Sequence, residues 1–164
     1  MSNTTSLRIN EIIEESVVDG PGFRLVVFTQ GCPHGCEGCH NPQTHDFNGG
    51  RTIGLGEILA LLDQNPLLAG LTLSGGEPFC QAAACAELAR EVKKRGKNVV
   101  TFSGFTYEEL TSMTEPGVPD LLMGTDILID GRFVLAERDL SIPFRGSRNQ
   151  RMLYLKEGKI IKQA

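Results

Sequence analysis

The chain has 164 residues, of which 40% are hydrophobic and 22% are charged, and its formal net charge is −4. This length and composition predict one globular domain over residues 1–164 and exclude a disordered chain. The net negative charge does not indicate the basic surface that is typical of a nucleic-acid-binding protein. The longest dense apolar run, residues 23–28, is too short to span a bilayer. Because the N-terminus also lacks the apolar segment of a signal peptide, a cytoplasmic location is expected.

The predicted elements alternate between strands and helices. Short apolar runs bounded by turn residues predict strands at 9–13, 24–29, 71–73, 98–102 and 127–129. Helices are expected before Pro66, over residues 82–94 and after a capping box at Thr106 and Glu109, and a hairpin is expected at 151–162. The alternation predicts an α/β fold with a mostly parallel sheet. Since the chain is too short for eight β/α units, a partial, open (β/α) barrel is expected.

Four glycine-rich or polar segments each follow a predicted strand. They are the cysteine loop at 31–50, the run Ser74–Pro78, the pair Ser103–Gly104, and Asp130. In parallel β/α folds, ligands bind at the carboxyl ends of the strands. We therefore expect these segments to meet at one functional edge of the sheet.

The cysteine loop carries the spacing C-x3-C-x2-C, formed by Cys32, Cys36 and Cys39. Three thiolates on one short loop predict a metal centre, because clustered cysteines in a cytoplasmic protein favour metal ligation over disulfides. Three ligands are one too few for a four-iron cluster, so one iron would stay open for a group other than protein. An open metal position is typical of a catalytic site.

Two non-catalytic interpretations of the cysteine loop are possible. A structural zinc site could add one neighbouring histidine, since the histidines His34, His40 and His45 all lie beside the cysteines. Structural zinc, however, usually uses two separated ligand pairs. An electron-transfer cluster would need a fourth thiolate from Cys80 or Cys85, and Cys85 lies mid-helix among alanines, where packing is the ordinary role.

The spacing C-x3-C-x2-C resembles that of the radical S-adenosylmethionine enzymes, and Ser74–Pro78 (Ser-Gly-Gly-Glu-Pro) resembles their second motif. This resemblance implies a 4Fe–4S cluster held by three cysteines and S-adenosylmethionine bound at its open iron. One electron from the cluster would cleave the cofactor and generate a radical that abstracts hydrogen. The motif implies that Ser74, Gly75, Gly76 and Glu77 bind the amino end of the cofactor. The paired glycines allow close backbone approach, and the carboxylate can pair with an ammonium group.

Further segments resemble those of glycyl-radical activating enzymes. Residues 18–24 resemble their D-G-P-G-x-R segment, and residues 101–105, 126–131 and 144–151 resemble the activators of anaerobic ribonucleotide reductases. The resemblance implies an activase whose substrate is the large subunit of the anaerobic ribonucleoside-triphosphate reductase, with flavodoxin or ferredoxin as electron donor. The alternatives are an activase for another glycyl-radical enzyme, such as pyruvate formate-lyase, a radical enzyme acting on a small molecule, or a non-catalytic zinc or iron–sulfur module.

The remaining candidate residues have two possible roles each. Ser103 could contact the cofactor, and Asp130 could lie near it with a cation or be an ordinary turn aspartate. Asp19 and Arg24 could contact the partner, or they could brace a Gly-Pro-Gly turn through an ion pair. Arg145, Arg148 and Arg151 could dock the partner or form a solvated face. The three histidines are expected to be loop residues, since hydrogen abstraction needs no general base.

Overall fold

The computed structural model describes residues 5–164 and contains one eight-stranded sheet. The strands are β1 (Ser6–Ser16), β2 (Arg24–Thr29), β3 (Arg51–Gly54), β4 (Gly70–Gly75), β5 (Asn98–Ser103), β6 (Ile127–Asp130), β7 (Arg151–Lys156) and β8 (Lys159–Gln163). The helices are α1 (Leu55–Gln64), α2 (Ala82–Lys94), α3 (Tyr107–Thr111) and α4 (Val118–Gly124). Among the described residues, no helix has the length and apolar character needed to cross a membrane. The single-domain prediction also covers residues 1–4, which lie outside the described part.

The predicted α/β fold is confirmed, and its parallel part is the centre of the sheet. The strand order is β3-β1-β2-β4-β5-β6-β7-β8, in which β2, β4, β5 and β6 pair in parallel and the two strands on either side pair antiparallel. All six residues of β2 are buried, as expected for a central strand covered on both faces. The order runs from edge β3 to edge β8, so the sheet is open, as predicted.

Two elements were not predicted from the sequence. Strand β3 has four residues, Arg51–Gly54, and only Ile53 among them is buried, so it lacks an apolar run. Helix α4 has seven residues. It begins after Gly117, which has a left-handed backbone conformation with a φ of 91°, and it has a proline in its first turn. Proline at that position is a helix-start signal, but a helix this short carries little periodicity.

Side chains alternate between two faces of the sheet, and this alternation separates the core from the functional face. Leu71 and Leu73 of β4 pack with α1, α2 and α4 in the main hydrophobic core. Ser74, one residue later, faces the opposite side and lines a cavity. Val100 and Ile129 lie on that second face, in a smaller apolar cluster. The two-residue period of a strand therefore decides which residues can reach the cavity.

Arg24 lies inside the protein at the start of β2, the end of the strand away from the cysteine loop. Its side chain is 0% exposed. It donates to Thr72 Oγ1 at 2.7 Å, to the Leu71 carbonyl at 2.8 Å and to the Pro21 carbonyl at 2.9 Å. A fully buried guanidinium offers no surface to a partner, so the bracing role describes Arg24. Burial lowers its pKa to about 10, and the charge of Asp126 opposes that shift.

The bracing of Arg24 also differs from the expected Gly-Pro-Gly ion pair. Asp19 accepts a hydrogen bond from Ser16 Oγ at 2.6 Å, and its backbone carbonyl accepts from Thr72 Oγ1 at 2.9 Å. Arg24 instead donates to buried acceptors, among them the backbone carbonyls of Pro21 and Leu71. Such groups are costly to leave unpaired. The turn is therefore attached to the sheet through neutral oxygen acceptors.

We predict that Arg24→Met lowers the free energy of unfolding by about 3 kcal/mol, because several buried acceptors lose their donor at once. Urea unfolding of the metal-free protein measures this loss. Arg148→Met is the matched control: Arg148 is exposed, so its change is expected to stay within about 0.5 kcal/mol. Equal stability of the two variants would contradict the bracing role.

Candidate functional site

A cavity of about 790 Å³ lies at the carboxyl ends of the parallel strands. The cysteines of the loop after β2 form one wall, and the end of β4 and Ser103–Gly104 at the end of β5 form another. Phe28, Phe102 and Ile129 of the sheet line its floor, together with Phe144 from the segment before β7. The segments predicted to meet at this edge therefore do so, with the exception of Asp130.

The cysteine loop is held at both of its ends by backbone and amide hydrogen bonds. The Gly31 amide donates to the Thr44 carbonyl at 2.7 Å, and the Cys32 amide donates to the His45 carbonyl at 3.2 Å. The Gln30 side chain donates to the Asp46 carbonyl at 2.7 Å. Sequence reasoning missed Gln30, because an amide directly after a strand carries no distinctive signal. These bonds fix where the loop leaves and rejoins the sheet.

Cys32, Cys36 and Cys39 are half-buried and all line the cavity. Burial raises the pKa of the Cys32 thiol; a backbone hydrogen bond at His34 opposes the shift, while Glu77 and the other two thiols add to it. The three side chains therefore border the same space. Metal binding requires thiolates, so it must displace protons from this loop.

The three thiols fit a cluster better than a single metal ion. Among residues 5–164, no three His, Cys, Asp or Glu side chains converge on one ion position. A zinc ion needs its ligands around one atom, whereas a cubane accepts each cysteine at a different iron. Two of the three nearby histidines are engaged elsewhere: His34 contacts Glu77 at 2.6 Å, and His40 packs on Phe133. The donor set therefore suits a 4Fe–4S cluster with three protein ligands.

Cys80 and Cys85, the candidates for a fourth thiolate, do not line the cavity. Cys85 is fully buried in the core, and burial raises its pKa. Cys80 is exposed, and partial burial of its thiol, together with the charge of Glu77, raises its pKa to about 11. Neither thiol lines the cavity with the other three, so the cavity presents three cysteine ligands.

The glycines of the second motif are required by close backbone packing. A Cβ atom on Gly76 would lie 2.4 Å from the Gly31 carbonyl oxygen, and one on Gly75 would lie 2.7 Å from the backbone of Phe28. The Gly76 and Glu77 amides donate to the carbonyls of Thr29 and Gly31, both at 2.8 Å. The backbone of the motif thus pairs with the backbone at the start of the cysteine loop. Ser74, Gly75 and Gly76 line the cavity.

Glu77 itself turns away from the cavity. Its carboxylate is 0% exposed and accepts from His34, Phe79, Ser103 and Gly104. Ser103 is a cavity-lining residue whose hydroxyl donates to Glu77 at 2.9 Å. The carboxylate oxygens of Glu77 are thus occupied by donors from the protein and are not available to a ligand in the cavity.

Asp130 is also buried away from the cavity, although it ends a strand at the functional edge. It is 1% exposed and accepts from the Tyr107 amide at 2.7 Å and from Arg151 Nε at 3.0 Å. Arg151 bonds Glu108 as well, and these hydrogen bonds raise the pKa of Arg151. Asp130 shares a strand face with Leu128, on the core side. It anchors the start of α3, and Arg151 occupies the place that a cation would take.

Of the other predicted partner-binding residues, two lie at the cavity and two do not, and one of the latter is Arg151, which Asp130 and Glu108 hold. Asp19 and Arg145 line the cavity. Arg145 also donates to the Ala164 carbonyl at 3.1 Å, which attaches the 131–150 loop to the C-terminus. Arg148 is exposed and does not line the cavity.

Comparisons with known proteins assign this arrangement to a family. Residues 18–153 match a family model described as a 4Fe-4S single cluster domain. The anaerobic ribonucleoside-triphosphate reductase-activating protein of Vibrio cholerae is 34% identical over 82% of this chain and 89% of its own length. The chain belongs to the family of these activating proteins.

Other members of the activase family are similarly close. The Escherichia coli K12 protein is 32% identical over 85% of this chain and 94% of its own length. The protein of Enterobacteria phage T4 is 32% identical over 82% of this chain and 86% of its own length. Among solved structures, QueE from Escherichia coli covers 62% of this chain and 54% of its own, with 19% identity and a TM-score of 0.49.

We predict that Cys32→Ala, Cys36→Ala and Cys39→Ala each abolish stable cluster binding, because two thiolates cannot hold the cluster that three hold. Iron and acid-labile sulfide, measured after anaerobic reconstitution, report the loss. Cys80→Ala is the matched control and is expected to keep the wild-type iron content. A Cys80→Ala variant that loses its iron would instead indicate a cluster with four thiolate ligands.

Proposed function

We propose that this chain is a radical S-adenosylmethionine activase that generates a glycyl radical on the large subunit of an anaerobic ribonucleoside-triphosphate reductase. The observation that carries the proposal is the cavity in which three cysteines and the glycine-rich end of β4 face each other, in a chain of the activase family. A flavodoxin or ferredoxin supplies the electron, and the protein works in the cytoplasm.

The residues divide the work between the cluster and the cofactor. Cys32, Cys36 and Cys39 hold the 4Fe–4S cluster at one wall, and the segment Ser74–Gly76 receives the amino end of S-adenosylmethionine at the other. When bound, the cluster and its cofactor supply the electron and the hydrogen-abstracting radical. Phe28 and Phe102 line the cavity and would give the bound cofactor an apolar surface on that side. No side chain has to act as a general base.

The mouth of the cavity supports a protein substrate. Val18 and Leu140 both line the cavity, yet they are 72% and 67% exposed. Aliphatic side chains at a cavity rim are solvated until another surface covers them. Glu11 and Asp19 also line the cavity, and so does the oppositely charged Arg145. A polypeptide segment can bury both aliphatic groups and meet both charges, while a small substrate would leave the rim exposed.

Anaerobic reconstitution tests the proposed function directly. The protein is loaded with iron and sulfide, reduced and given S-adenosylmethionine, and 5′-deoxyadenosine is assayed with and without the reductase subunit. We expect cofactor cleavage and a glycyl-radical EPR doublet on the reductase. Cleavage without the doublet would overturn the assignment of the partner, and reconstituted protein without cleavage would overturn the assignment of the reaction.

We predict that Val18→Asp and Leu140→Asp each weaken binding of the reductase subunit by about tenfold, because each places a charge where an apolar contact is needed. Affinity measured by titration calorimetry on the cluster-loaded protein reports the change. Leu67→Asp is the control, since Leu67 is 70% exposed but lies between α1 and β4 and outside the cavity lining. Equal losses in all three variants would contradict a docking role for the rim.

A further inference from the structure

The buried carboxylate of Glu77 accepts four hydrogen bonds, whereas capping the turn that follows it requires one. On Oε1 it accepts from His34 Nε2 at 2.6 Å and from the Gly104 amide at 2.8 Å. On Oε2 it accepts from Ser103 Oγ at 2.9 Å and from the Phe79 amide at 3.1 Å. A carboxylate has about four lone-pair sites, so these four donors use its capacity. Glu77 therefore has no acceptor left for the ammonium group of a cofactor.

His34 is the member of this network that comes from the cysteine loop. It lies between Cys32 and Cys36, and its side chain is 4% exposed. Because an ionised carboxylate only accepts hydrogen bonds, the donor in this contact is the His34 tautomer that carries hydrogen on Nε2. The hydrogen bond thus joins the loop that carries the thiols to the segment that follows β4.

Shape as well as hydrogen bonding holds the His34 ring in place. The ring packs edge-on against Phe105, with 4.5 Å between centroids. A Cβ atom on Gly104 would lie 2.4 Å from the ring carbon Cδ2. The ring therefore occupies a slot that exists because residue 104 is glycine. The slot lies directly after β5, so His34 sits where the cysteine loop meets the ends of both β4 and β5.

We propose that His34 and Glu77 are positioning residues that set the distance and angle between the cluster and the cofactor-binding ends of β4 and β5. Glu77 does not contact the cofactor; the segment Ser74–Gly76, which does line the cavity, receives its amino end. The proposal rests on the proposed function in taking S-adenosylmethionine as the ligand. Misplacing two reacting groups by a small distance is costly, and partners behind metal ligands typically contribute 10–100-fold in affinity or activity.

Substitutions of His34 separate positioning from folding. His34→Leu places an apolar side chain in the slot but removes the hydrogen-bond donor. We expect the variant protein to retain its iron and to bind S-adenosylmethionine about tenfold more weakly. His34→Gln restores a donor and is expected to bind within about threefold of wild type. His45→Leu changes a histidine of the same loop outside the Glu77 network, and its affinity is expected to be unchanged. Wild-type affinity in His34→Leu would overturn the proposal.

A double-mutant cycle tests whether Glu77 acts through His34. If it does, Glu77→Gln weakens cofactor binding in the wild-type background but adds little to His34→Leu, since both remove the same contact. If Glu77 instead binds the ammonium group, the two effects are additive, and additivity would overturn the proposal. The measured quantity is the dissociation constant of S-adenosylmethionine in the four cluster-loaded proteins.

Hydrogen exchange in the metal-free protein gives a readout that needs neither cluster nor cofactor. We expect His34→Leu to speed exchange of the Gly104 amide by about tenfold or more, because that amide shares Glu77 Oε1 with His34. Unchanged exchange would overturn the positioning role. If the loaded wild-type protein failed to bind S-adenosylmethionine, the proposed function would fail, and the exchange result would still decide whether His34 locks the loop.

Discussion

One buried carboxylate, that of Glu77, determines how the functional edge of this protein is assembled. A charge without partners in a protein interior costs several kcal/mol, and the donors that satisfy Glu77 come from three separate segments. His34 belongs to the cysteine loop, Phe79 follows the second motif, and Ser103 and Gly104 end β5. The three segments are therefore stable only together. In addition to the hydrogen bonds at its two ends, the cysteine loop is thus attached to the sheet through a side chain that is not one of the three cysteines.

The two faces of the sheet have separate tasks, and the alternation of strand residues assigns them. Leucines on one face pack against α1, α2 and α4 and provide the main core. The other face carries fewer apolar contacts and forms the floor of the cavity beneath the cysteines. The packing that stabilises the fold is thus concentrated on the face covered by the helices. The cavity on the other face is open, and its rim is apolar. An open cavity suits a substrate that is a segment of another protein.

The sequence predicted the location of the site better than the role of its residues. The C-x3-C-x2-C spacing and the apolar central strands placed the thiols and the glycine-rich turn at one edge, because strand ends meet there in parallel sheets. Because side chains alternate along a strand, Asp130 faces the same side of β6 as Leu128, which is the core side, and the sequence alone could have shown this. Most partners of Arg24 and three of the four donors on Glu77 come from segments distant in sequence, and local pattern carries no signal for such contacts. Strand β3 and helix α4 are too short for their periodicity to stand out.

The central claim is that three thiolates leave one cluster position open and that S-adenosylmethionine occupies it. The most direct measurement is pulsed electron–nuclear double resonance on the reduced, reconstituted protein with the cofactor labelled with ¹⁵N at its amino group. The account predicts a ¹⁵N hyperfine coupling to the cluster, absent with unlabelled cofactor, because the amino nitrogen lies on the open iron. A reduced cluster whose spectrum shows no coupling to the label would contradict it.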